Sequence, residues 1–178
     1  KNQFIRVLAI ALLLIPGSIM AQSEFNKLYE KYAGQDGVTS INISPEMFKL
    51  LSSIDMNDSA EESKDAQNVM QQLKGLKMLV YENSEGKSIK RFYDDIKNTM
   101  PLNNYTELMT VNDSDSDIKF LIKKEGENLI SELLMIVKSA DEVLIMSMVG
   151  DLDMNTISEI GNSLDMKGMD NLEKINDK

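Results

Sequence analysis

Apolar and polar positions alternate most regularly between Asp117 and Gly150, where two turns separate three strand-like runs. In the first run, Asp117 to Lys123, the residues Ile118, Phe120 and Ile122 point one way and Lys119 and Lys123 the other. The turn Lys124-Glu125-Gly126-Glu127 places a glycine where a short hairpin needs positive φ. The second run, Glu127 to Lys138, sets Leu129, Leu133, Met135 and Val137 on one face, with Ile130, Leu134 and Ile136 on the other. In the third, Asp141 to Gly150, Val143, Ile145 and Val149 oppose Leu144, Met146 and Met148. The last two strands are therefore apolar on both sides, whereas a sheet with one wet face alternates more cleanly. Either helices cover the second face or an apolar patch meets a partner. The candidate partner face is Leu134, Ile136, Leu144, Met146 and Met148. Leu133 and Leu134 fall on opposite sides, so one is expected in the core and the other on the partner face.

Helical periodicity dominates the chain before this meander. Ser23 to Ala33 carries Phe25, Leu28, Tyr29 and Tyr32 at helical spacing, and Gly34 ends it. Val38 to Ile43 is a short strand. Ser44-Pro45 opens a helix bearing Met47, Phe48, Leu50, Leu51 and Ile54. Asp55 to Lys64 is polar and reads as a surface loop, and Asp65 to Lys74 as a further helix. Leu76 to Glu82 is a strand. Ser88 to Met100 is the cleanest amphipathic helix, with Ile89, Phe92, Tyr93 and Ile96 at i, i+3, i+4 and i+7, and Pro101 stops it. Tyr105 to Val111 is a strand. Asp153 or Thr156 caps a last helix with Ile157, Ile160 and Leu164, and a charged tail follows from about Asp165. The order predicts an α+β fold. Its sheet is mixed but mainly antiparallel and ends in a three- to four-stranded meander, with helices packed mainly on one face.

The first residues follow a different pattern. Lys1 and Arg6 precede the unbroken apolar run Val7 to Ile15, which Pro16, Gly17 and Ser18 break. This predicts a signal peptide over residues 1–21, cleaved after Ala21, and a single domain over 22–178. The run is too short for a permanent membrane anchor. The chain has no cysteine, which excludes disulfides, thiolate metal sites and a lipoprotein anchor. The expected location is periplasmic or extracellular. A net charge of −10 argues against nucleic acid, because phosphate binding needs clustered Lys and Arg. Thirteen methionines and no tryptophan point to an adaptable interior.

Composition also removes much chemistry. Without histidine or cysteine, Ser–His and Cys–His nucleophile systems are excluded. Gly86-Lys87-Ser88 follows a strand and opens a helix, but Tyr81 stands where a phosphate loop needs its first glycine, so a capped helix is the reading. Asp113, Asp115 and Asp117 have the spacing of a calcium loop, yet Ile118 and Lys124 occupy the positions that need glycine and glutamate. Asp151, Asp153 and Asn155 fail in the same way at Thr156 and Asn162. Glu132 interrupts an apolar strand face between Ile130 and Leu134; if buried it needs a partner, with Lys119 or Lys123 as candidates.

Tyr32-Ala33-Gly34-Gln35-Asp36-Gly37-Val38-Thr39-Ser40, preceded by Lys31, is similar to the opening of the domain of unknown function 4252 family of small exported Bacteroidetes proteins. Ile43-Ser44, Ile130-Ser131-Glu132-Leu133 and Gly150-Asp151-Leu152 extend the resemblance over nearly the whole chain after residue 21. It implies an exported single domain and supplies no catalytic residues. Asp58-Ser59-Ala60 resembles the site that Bacteroidetes O-glycosylate in exported proteins, which makes Ser59 a candidate. The expected function is a non-enzymatic periplasmic or cell-surface module that needs no cofactor and binds another exported or envelope protein or a second copy. The alternative is a carboxylate-based hydrolase or small-ligand carrier; a pocket of convergent carboxylates would favour it, and a flat apolar patch the binder.

Overall fold

The structure, a computed structural model, describes residues 24–53, 61–82, 88–126 and 129–163. The segment 1–21, the tail from 165, Ser59, Gly86 and Lys87 lie outside the described residues. The elements in chain order are α1 (Glu24–Tyr32), β1 (Val38–Ile43), α2 (Pro45–Ser53), α3 (Glu61–Gln72), β2 (Leu73–Glu82), α4 (Ile89–Thr99), a 3-10 turn (Leu102–Asn104), β3 (Thr106–Asn112), β4 (Ser116–Lys124), β5 (Ile130–Ser139), β6 (Glu142–Leu152) and α5 (Met154–Ser163). The strands form one six-stranded sheet in the order β1-β2-β6-β5-β4-β3. Every pairing is antiparallel. The α+β class and the closing meander match the sequence reading.

The helices are not weighted to one side of this sheet. On the first face α1 and α4 pack Phe25, Leu28, Tyr32, Phe92 and Ile96 onto Leu79, Tyr81, Leu121, Leu134, Ile136, Val143 and Ile145. Phe92 stacks on Tyr81, with ring centres 4.9 Å apart, and meets Tyr32 edge-on at 4.7 Å; such geometries add about 0.5–1.5 kcal/mol to simple burial. On the second face Phe48 of α2, Val69 of α3 and Ile157 and Ile160 of α5 pack onto Phe120, Ile122, Leu133, Met146 and Met148. An apolar helical stripe states that a helix is buried, not against which face, so the one-sided expectation had no physical basis.

Local chemistry fixes the boundaries. Met100, held extended by the following Pro101, ends α4. Gly126 at φ 84 makes the β4–β5 turn. The carboxylate of Asp153 accepts the Thr156 N–H at 2.8 Å and caps α5. The polar stretch read as a loop to Lys64 is helical from Glu61. α3 runs straight into β2 at Leu73, where the sequence pattern kept the helix going to Lys74. β2 then meets β6 so closely that a Cβ on Gly150 would lie 2.3 Å from the Gln72 carbonyl oxygen.

Candidate functional site

Register decides which apolar side chains share a face. Leu134 pairs with Ser147 and Ile136 with Ile145, while Met135 pairs with Met146. Even positions of β5 therefore lie beside odd positions of β6. The candidate face of Leu134, Ile136, Leu144, Met146 and Met148 is split by this register. Leu134 and Ile136 are in the first core, and Met146 and Met148 in the second. All four are buried, and Leu144 is half-buried. A bulge at Ser131 compounds the change, because the β4–β5 and β5–β6 registers both skip it. It turns Ile130 to the second face, beside Leu133, and leaves Glu132 on the first.

A different set of residues forms two apolar rows on the second face, the first of them still buried at Phe120 and Met146. One row across the sheet reads Met78, Met146, Met135, Phe120 and Met109; the next reads Val80, Leu144, Val137, Ile118 and Val111. All ten are apolar. Closer to the helices, Met148, Leu133 and Ile122 are buried. In the second of the two rows every member is only half-buried. The helical layer therefore ends partway down the strands. The half-buried row spans five strands, about 19 Å at the usual strand spacing. At its rim Glu82 of β2 stands directly opposite Glu142 of β6, and like charges so placed repel. The alternation of Leu76, Met78 and Val80 was visible in the sequence; its continuation into β3 and β4 required the register.

Glu132 is 4 % exposed and satisfied by neutral partners. Ser147 Oγ donates to its Oε1 at 2.5 Å, and the Tyr105 hydroxyl to its Oε2 at 2.8 Å. The expected lysine partner is not used. Lys123 is opposite Glu132 in register but exposed, and Lys119 pairs in register with Ile136. Two neutral donors satisfy the carboxylate without burying a second charge. Burial, and then the neighbouring Glu132 carboxylate, push the Tyr105 phenol far above its ordinary range.

The aspartates of the calcium-like spacing are engaged locally. Asp113 Oδ1 accepts the N–H groups of Asp115 and Ser116 at 2.7 and 2.8 Å, closing an Asx turn that holds its carboxyl below the usual range. Asp117 lies 3.7 Å from Lys138 Nζ. No group of three or more acidic residues among the described residues could hold a metal. These loops and α4 border a cleft of about 970 Å³. Inside it Lys97 and Lys138 approach the Tyr93 ring, at 4.9 and 5.3 Å. Hydrogen bonds from Lys90 and Lys97 draw the Asp94 carboxyl down to about 2. Five carboxylates, Asp94, Asp113, Asp115, Asp117 and Asp141, line the cleft with Lys90, Lys97 and Lys138; Asp94 and Asp117 are paired with these lysines, and Asp113 with backbone N–H groups. Ser88 precedes α4 without a side-chain capping bond, and Tyr81 is buried against Phe92.

No described helix is long and apolar enough to cross a membrane. A family model described as "Domain of unknown function (DUF4252)" matches residues 29–160. No curated protein and no solved structure matches the chain.

Proposed function

The chain belongs to the family Domain of unknown function (DUF4252), and on that premise we propose that it is an exported, non-enzymatic module that binds another protein across the uncovered half of its sheet's second face. The observation that carries this reading is the continuous apolar row Val80–Leu144–Val137–Ile118–Val111, half-buried from end to end. A continuous apolar row that the fold leaves only partly covered is a feature of interaction sites. The occupant with the right shape is an amphipathic helix. About 13 residues of helix, at 1.5 Å per residue, span the 19 Å width. Such a helix would lie beside α2, α3 and α5 and complete their layer, as in helix-in-groove recognition. The opposed Glu82 and Glu142, on a chain of net charge −10, favour a helix carrying Lys or Arg at that rim.

Export rests on the basic residues Lys1 and Arg6 ahead of the apolar run Val7 to Ile15, and places the partner in the same compartment. N-terminal sequencing of material secreted by a host cell should begin near Gln22; a retained Lys1 would remove this part of the proposal. Binding is tested with methyl-labelled methionine and a synthetic amphipathic helix with a lysine-rich polar face. The Met78, Met109 and Met135 methyl signals should shift on titration, while that of Met100, in the opposite core, should not. Val137→Asp should abolish the shifts and leave the fold intact. Shifts spread evenly over all methionines, or none, would refute the assignment.

A further inference from the structure

β1 is an edge strand without the usual protection. Natural edges carry a charge, a proline or a bulge that discourages pairing with another chain. The opposite edge, β3, has Glu107 and a bulge at Leu108. β1 reads VTSINI, with no charge and no proline, and its register with β2 is unbroken over all six residues. Its four central residues are exposed.

The exposed apolar side chains gather beside the same edge. Four large ones are exposed among the described residues: Ile41 at 38 %, Met47 at 47 %, Leu50 at 58 % and Leu129 at 37 %. Three of the four belong to β1 or to α2, the helix that follows it. Ile41 pairs with Met78 and so lies on the second face, where α2 also packs.

From these two observations we infer that a second copy of this chain pairs antiparallel along β1, joining two six-stranded sheets into one of twelve strands. The backbone selects a register. The Glu82 N–H donates to the Gly37 carbonyl, so residues 37, 39, 41 and 43 bond inward to β2. Residues 38, 40 and 42 point outward, and the Val38 N–H is already taken by the Gln35 carbonyl. Ser40 and Asn42 remain with donors and acceptors facing solvent. Two-fold pairing of Ser40 with Asn42 of the second copy satisfies both groups in each chain, and side chains on one face stay together. It sets Ile41 against Ile41 at the axis as a non-hydrogen-bonded pair, the closer of the two antiparallel spacings. The two α2 helices then approach on the second face, bringing Met47 and Leu50 together. Each α2 also exposes Glu46 and Lys49, of opposite sign, so their approach need not oppose like charges. A second copy fits this edge because an uncharged strand meets no repulsion from itself.

The test uses the full chain, whose lack of cysteine makes any introduced thiol unique. Light scattering should give twice the mass of one chain, which is 20.0 kDa before residues 1–21 are removed. Asn42→Pro removes only an outward N–H, and edge strands tolerate proline, so it should yield a folded monomer with an unchanged circular dichroism spectrum. Ile41→Cys should form a covalent dimer in oxidised glutathione, since a non-hydrogen-bonded pair has its Cα atoms about 4.5 Å apart, within disulfide reach. Leu129→Cys, exposed but remote from the edge, should not. A chain that stays monomeric up to about 0.1 mM, above the Kd of most specific dimers, overturns the inference. So does a dimer that Ile41→Cys fails to lock.

Discussion

Truncating Leu133 and Leu134 separately tests whether both faces of the sheet are cores. Adjacent strand residues point to opposite sides, and both leucines are buried: Leu133 is 1 % exposed and Leu134 not at all. Leu134 packs in the first core with residues of α1 and α4, Leu133 in the second with residues of α2 and α5. Leu→Ala removes three carbons, worth about 0.8 kcal/mol each in transfer, or about 2.4 kcal/mol together. The cavity left in a close-packed core adds to this, so each variant should lose about 2.5–5 kcal/mol. Val137→Ala, in the half-buried row, should lose under about 1.5 kcal/mol. The leucines act in separate cores, so their losses should add to within about 0.5 kcal/mol. The double variant would then lose 5 kcal/mol or more, enough to unfold a domain near the lower end of ordinary stability. Urea unfolding with a shared m-value gives each figure. If one leucine proved harmless while the other cost several kcal/mol, one face would be open around that position, and the two-core description would fail.

Three further outcomes are expected. Tyr105→Phe leaves one oxygen of the buried Glu132 without its donor and should cost about 1.5–3 kcal/mol by urea unfolding; a loss below about 0.5 kcal/mol would mean that the carboxylate finds another donor. Gly150→Ala drives a methyl group into the Gln72 carbonyl and should cost at least about 1–3 kcal/mol in the same assay, whereas a neutral result would show that β6 can move away from β2. In alkali the phenols of Tyr32 and Tyr105 resist ionisation, first through burial and then through Asp95 and Glu132. Their folded pKa values lie above the unfolded value of about 10, so the stability they contribute is intact below pH 10 and is lost as pH rises beyond it. Denaturation midpoints should be flat to about pH 9.5 and fall above it, and a midpoint that rose from pH 10 to 11 would contradict the sign.

Elements with a strong local period were legible in the sequence. Ile89, Phe92, Tyr93 and Ile96 defined α4, Gly126 marked the β4–β5 turn, and Asp153 was one of two candidates for the cap of α5, because each signal acts within a few residues. What failed depended on pairing between distant residues. The bulge at Ser131 moved Ile130 to the other face, and the register of β5 on β6 divided Leu134 and Ile136 from Met146 and Met148. When both faces of a strand are apolar, composition does not penalise either register, so the sequence pattern held no information on it. Glu132 was recognisable as an anomaly. Its donors, Tyr105 and Ser147, come from outside its own strand and could not be read from the residues around it.

The strand order also sets a timetable for synthesis. β3 to β6 are joined by short turns and pair with their sequence neighbours, so they can zip together without closing a large loop. β2 pairs with β6, joining Leu73 to Gly150, and β1 is attached only through β2. A ribosome that has delivered α1 through β2 has made a segment in which β2 has β1 along one edge but lacks β6 along the other until the last strand emerges. For that interval β2 is a client for chaperones and for proteases. Nonsense truncations anywhere before Gly150 should therefore be degraded as whole chains rather than accumulate as a folded N-terminal half.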